Sequence, residues 1–76
     1  MKLGFYRHYK TKNIYKVIGV GKHSETLEDY VIYQPMYAGS PADYWLRPLQ
    51  MFTETVEWEG RKVKRFSWLG TKMPKQ

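Results

Sequence analysis

The run Ile14-Tyr15-Lys16-Val17-Ile18-Gly19-Val20 constrains the fold of this chain more than any other stretch. β-Branched or aromatic residues stand at Ile14, Tyr15, Val17, Ile18 and Val20, the composition of a strand rather than a helix. Strand side chains alternate between faces, and here both faces carry apolar groups. The run is therefore expected to be a central strand. Gly19 and Gly21 point to a bend or bulge, the device that curls a small sheet toward closure.

The rest of the chain supplies partners for that strand. Phe5 to Tyr9 reads as a first short strand, with Phe5, Arg7 and Tyr9 on one face and Tyr6 and His8 on the other. Lys10-Thr11-Lys12-Asn13 is polar and breaks the pattern. Tyr30 to Tyr33 is the next strand, antiparallel to the central one and ended by Pro35. Met36 to Asp43 holds Gly39, Ser40 and Pro41 and reads as a loop. Tyr44 to Arg47 is a short strand stopped by Pro48, with Trp45 and Arg47 sharing a face. Pro48 to Phe52 suits one helical or 3₁₀ turn with proline first.

Thr53 to Trp58 and Arg61 to Leu69 form the clearest hairpin, turning at Glu59-Gly60. A two-residue loop pairs Glu57 with Lys62 and a three-residue loop pairs it with Arg61; either sets acid against base. Val17, Ile18, Val20, Val31, Ile32, Leu46, Leu49, Phe52, Val56, Val63 and Phe66 are the expected core. Five short strands, no helix of useful length and glycine at the bends predict an all-β fold: a small, strongly curved antiparallel barrel, SH3-like. An OB-like barrel is the alternative, weakened by the missing helix. One domain over residues 4–69 and a frayed tail over 70–76 complete the expected organisation.

Size sets the stability problem. A chain of 76 residues buries only about 60% of the surface its unfolded form exposes, leaving a margin of a few kcal/mol at most. There is no cysteine, so neither disulfides nor thiolate–zinc staples can help. Three Trp, seven Tyr and three Phe are the substitute, since rings bury much area at low rotamer cost. The excess of Tyr over Phe suggests rings whose hydroxyl tips stay wet.

The formal net charge is +6, a weak general attraction to nucleic acid or anionic surfaces. Lys2, Lys72 and Lys75 lie at the ends and leave +3 on the body. No apolar run approaches transmembrane length, and Met1-Lys2-Leu3-Gly4 leads into aromatic and charged residues rather than a signal sequence. The expectation is a cytoplasmic monomer without membrane attachment.

Lys22-His23-Ser24-Glu25-Thr26 is the polar block between two core strands. As a string it invites a catalytic story. In an extended chain, however, His23 and Glu25 point one way and Ser24 and Thr26 the other, so neighbours cannot form a Ser–His relay. The simpler reading has the hydroxyls and carboxylate satisfying loop amides while His23 bonds a neighbouring strand. His8, His23 and Glu25 would make a two-His, one-carboxylate triad only if the first two strands brought them together. With two histidines and no ligand spacing, no metal and no cofactor are expected.

Tyr6-Arg7-His8-Tyr9-Lys10, Tyr15-x-Val17, His23-Ser24-Glu25-Thr26-x-Glu28, Val31-x-Tyr33, Trp45-x-Arg47-Pro48-x-x-Met51-Phe52 and Arg65-Phe66 occur in that order. Together they resemble the bacterial family known as domain of unknown function 1653, from about Gly4 to Leu69. The resemblance implies a compact, mostly β, SH3-like domain and no activity. Gly21, where the family tends to have Ala, and a slightly long Met36–Asp43 loop depart from the pattern.

Arg7 and Arg47 each sit in a strand among aromatics, the combination that binds phosphates or carboxylates while stacking a base. The expected site is a concave patch of Tyr6, Arg7, His8, His23, Glu25, Tyr33, Trp45 and Arg47. It would serve a non-enzymatic binding module for an anionic, nucleotide-like or nucleic-acid ligand. Lys62, Lys64 and Arg65 on the last hairpin carry the charge to track a nucleic-acid backbone, offset by Glu54, Glu57 and Glu59. A protein–peptide interaction module with an aromatic groove is the first alternative. A small hydrolase using His23 and Glu25 is the second, against which stands the short chain's inability to enclose a water-excluded pocket.

Overall fold

A computed structural model describes residues 1–74. The order is β1 (Gly4–His8), β2 (Ile14–Lys22), β3 (Asp29–Pro35), β4 (Trp45–Pro48), α1 (Leu49–Thr53), β5 (Thr55–Trp58), β6 (Arg61–Lys64) and β7 (Phe66–Gly70). β4-β3-β2-β1-β7 form a five-stranded antiparallel sheet with β2 in its centre, and β5-β6 form a separate two-stranded sheet. The fold is all-β, and the central strand is where the apolar run placed it. Among the described residues no pairing closes β4 onto β7, and no closed barrel forms.

Pairing fixes two faces. Tyr6 opposes Tyr15, Val17 opposes Tyr33, Val31 opposes Arg47 and His8 opposes Phe66, and these residues share the core face. Tyr6, Val17, Val31, Tyr33, Phe52 and Phe66 form its buried cluster. α1 supplies Phe52, whose ring stacks on Phe66 at 4.1 Å with the planes 3° apart. Pro48 caps that turn with φ −51° and ψ 137°, so the helix starts one residue later than a proline at the first helical position would put it.

Several expected core residues lie outside. The β2–β3 register slips between Val17 and Gly19, which makes Ile18 the extra residue of a bulge. Ile18 is 45% exposed, Val20 44% and Leu46 64%. The bulge throws Ile18 outward, while Leu46 opposes Ile32 on the outer face, away from α1. Tyr6 and Tyr33 take the interior positions instead, and Phe5 and Ile14 are buried on the outer face. Both core phenols have partners. Tyr6 donates to the Lys2 carbonyl at 2.6 Å and Tyr33 accepts from Arg47 Nε at 3.2 Å.

The hairpin takes the two-residue register, Glu57 opposite Lys62 and Trp58 opposite Arg61. Glu59 at φ 50° and Gly60 at φ 76° both adopt the left-handed region that such a turn requires. Arg61 to Leu69 is not one strand. It breaks at Arg65, whose amide donates to the Glu54 carbonyl at 3.0 Å and whose guanidinium closes on the Glu54 carboxylate. That corner releases β6 from β7 and lets β7 join β1. Gly4 is required there, because a β-carbon would strike the Gly70 carbonyl. β7 runs to Gly70, a position expected in the tail; positions 75 and 76 of that expected tail lie outside the described residues.

Candidate functional site

The two loops flanking β2 are built alike. In the first, the His8 amide donates to the Asn13 carbonyl at 2.9 Å and the Lys12 amide to the His8 carbonyl at 3.0 Å. In the second, the His23 amide reaches the Glu28 carbonyl at 2.8 Å and the Leu27 amide the His23 carbonyl at 2.9 Å. Four-residue loops this tight leave amides pointing inward with no strand partner. His8 Nδ1 accepts those of Lys10 at 3.2 Å and Thr11 at 3.4 Å, and His23 Nδ1 those of Glu25 at 3.1 Å and Thr26 at 3.2 Å. Thr11 and Thr26 hydroxyls take the amides two residues on, at 3.2 and 3.3 Å. Lys12 at φ 65° and Leu27 at φ 63° complete each loop in the left-handed region.

These bonds assign histidine chemistry. A nitrogen that accepts two amides carries the lone pair, so the neutral ring keeps its proton on Nε2. His23 is thus a cap of its own loop. Its role differs from the expected bond to a neighbouring strand. Thr26 shapes the loop, and Glu25 offers the loop its backbone amide rather than its carboxylate.

The expected patch is divided. His8 precedes and His23 follows the nine-residue β2, placing them roughly 30 Å apart at strand rise. Glu25 goes with His23, so neither the metal triad nor a single concavity forms from the three. On the core face His8, Tyr33 and Arg47 do gather around Phe66, with the His8 ring 5.1 Å and the Arg47 guanidinium 5.8 Å from it. Burial first, then Arg65, Arg47 and Lys10, hold the His8 pKa below its ordinary value. Tyr6 and Tyr33 are core residues, and Trp45 donates its indole N–H to Ser40 Oγ at 3.3 Å, pinning the β3–β4 loop.

Arg7 points to the outer face, opposite Ile14 and Ser67. There it enters a groove of about 500 Å³ between the sheet and the β5–β6 hairpin. Arg7, Lys12, Arg61 and Lys64 line it with a single carboxylate, Glu59. Trp58 forms one wall, held by Tyr9 edge-to-face at 5.3 Å and 79°. Among the described residues the ion pairs are Lys22–Asp29 and Arg65–Glu54, so all four groove cations lack a carboxylate partner. Sequence reading found Arg7, His8 and Lys64 but not their neighbours. Period-2 alternation does put Trp58, Arg61 and Val63 on one hairpin face; the fold of that hairpin over the sheet depends on the Arg65 corner. A smaller apolar hollow of about 220 Å³, lined by Gly21, Lys22, His23, Tyr30, Ile32 and Leu46, lies at the far end of β2.

Fold and groove together define a small all-β domain with a basic, aromatic-walled cleft between two antiparallel sheets. The family model described as "Protein of unknown function (DUF1653)" matches residues 4–68, and the chain belongs to that family. It is similar to the crystal structure of a DUF1653 protein from Bordetella bronchiseptica, at 32% identity and a TM-score of 0.90. That match covers 99% of this chain and 95% of the other. Among curated proteins none matches. No helix among the described residues is long and apolar enough to cross a membrane.

Proposed function

We propose that this domain is a non-enzymatic binding module for an anionic, nucleotide-like or nucleic-acid ligand, held in the groove between sheet and hairpin. The observation that carries the reading is the convergence of Arg7, Lys12, Arg61 and Lys64 on Trp58 with only Glu59 to offset them. Unpaired cations along one cleft lower the cost of bringing in phosphate, and the indole offers a planar surface for a base. Arg7 and His8 carry over from the sequence-predicted set, while Arg47 and Tyr33 brace the core face behind them. The test is a titration of a nucleotide panel, single-stranded and duplex nucleic acid at two salt concentrations. Saturable binding that weakens with salt supports the reading. No saturable binding to any of these at moderate salt overturns it.

A second reading, an extended peptide docked on the outer face, is favoured by the apolar hollow beside Leu46, which is 64% exposed. Peptide binding that ignores salt and is lost in Leu46→Asp would select it.

A further inference from the structure

We infer that the ligand of the groove is single-stranded nucleic acid, bound by its backbone along the cations with a base stacked on Trp58; this rests on the anion-binding reading above. Two features of the groove select a strand over a free nucleotide or a duplex. The cations are spread rather than focused. Arg61 and Lys64 stand three residues apart on β6, roughly 10 Å along the strand, with Arg7 and Lys12 coming from β1 and its loop. One phosphate group cannot meet charges so distributed, whereas successive phosphates of a chain can.

The second feature is Trp58 itself, on which a base can stack only when it is free of a duplex. Tyr9 meets it edge-on at 79°, which orients the indole without stacking on it and leaves a ring face for a base.

The experiment uses the full chain, a fluorescent single-stranded oligonucleotide, the same sequence as a duplex, the mononucleotide and inorganic polyphosphate, each titrated over the same series of salt concentrations. The single strand should bind at least about tenfold tighter than the other three, and Trp58→Ala should lose about tenfold while Trp58→Phe retains most affinity. Arg7→Gln should weaken every nucleic-acid sequence alike and reduce the salt slope by about one. Thermal melts identify folded variants, and Trp58→Phe keeps the stacking test usable if the alanine variant unfolds. Equal binding of polyphosphate and single strand, with Trp58→Phe and Trp58→Ala matching wild type, would overturn the single-strand assignment and leave the anion site standing. Preference for the duplex would also overturn it. Failure of all four probes would remove the underlying site as well.

Discussion

His8 and His23 are equivalent residues: each Nδ1 accepts the amides two and three positions on, in loops that match bond for bond. The shared string is His-x-x-Thr, at His8–Thr11 and His23–Thr26. One loop delivers Lys12 to the basic groove; the other begins beside the apolar hollow. A single local solution thus positions different chemistry at each end of β2. Replacing either histidine with alanine orphans two amides and should cost about 1 kcal/mol, as lost caps do. For a domain of this size that lowers Tm by about 4–8 °C. His23→Asn should recover part of the loss, since a short amide oxygen can take the same role. Melts of both alanine variants that coincide with wild type would contradict the cap assignment.

Protonation of His8 should destabilise the fold. Its folded pKa lies below the ordinary value near 6.5, because burial and then Arg65, Arg47 and Lys10 disfavour the charged ring. The unfolded chain therefore takes up the proton first as pH falls. Stability is full above about 6.5 and declines below it toward the folded pKa. Denaturant titrations between about pH 5 and 8 should show this slope flattened in His8→Asn.

At the alkaline end the sign reverses. Burial, and then the Tyr37 hydroxyl bonded at 3.1 Å, push the Tyr15 phenol up to about 12. The unfolded chain ionises first, so stability present below about 10 is lost as pH rises toward the folded value. Tyr15→Phe should remove part of that loss. An unchanged alkaline limb would show that Tyr15 is not the group responsible.

Buried and exposed apolar residues should respond very differently. Phe52 is 1% exposed and stacked on Phe66, so Phe52→Ala should cost ~3–5 kcal/mol, comparable to the whole margin of such a domain. Ile18→Ser and Leu46→Ser should change stability by no more than about 0.5 kcal/mol. Collapse of the Ile18 variant would place that bulge inside the core after all.

Glu59 holds φ 50° in the hairpin turn, a conformation costly for a long side chain and easy for asparagine. Glu59→Asn should stabilise the domain by up to ~1 kcal/mol in chemical denaturation. A destabilised Glu59→Asn would argue against this turn.

Much of the sheet was legible because its signals are local. Alternation placed the central strand, Gly19 announced the bulge, Pro48 marked the helical turn and Glu59-Gly60 set the hairpin. Non-local choices were not legible. Tyr33 is core because Arg47, from the neighbouring strand, satisfies its hydroxyl, and Tyr6 because the segment before β1 turns its Lys2 carbonyl onto the phenol. The last strand breaks because Arg65 finds Glu54 across the corner. The separation of His8 from His23 needed only the length of β2, and the repeated His-x-x-Thr was visible; both were missed by reading the second block alone.

The most direct test of the groove is an amide and indole chemical-shift map of the labelled protein titrated with a short single-stranded oligonucleotide. The account predicts the largest changes at Arg7, Lys12, Arg61, Lys64 and the Trp58 indole, with Trp45, His23 and Glu25 unmoved. Changes centred on Trp45, His23 or Leu46, with the Trp58 indole silent, would contradict it.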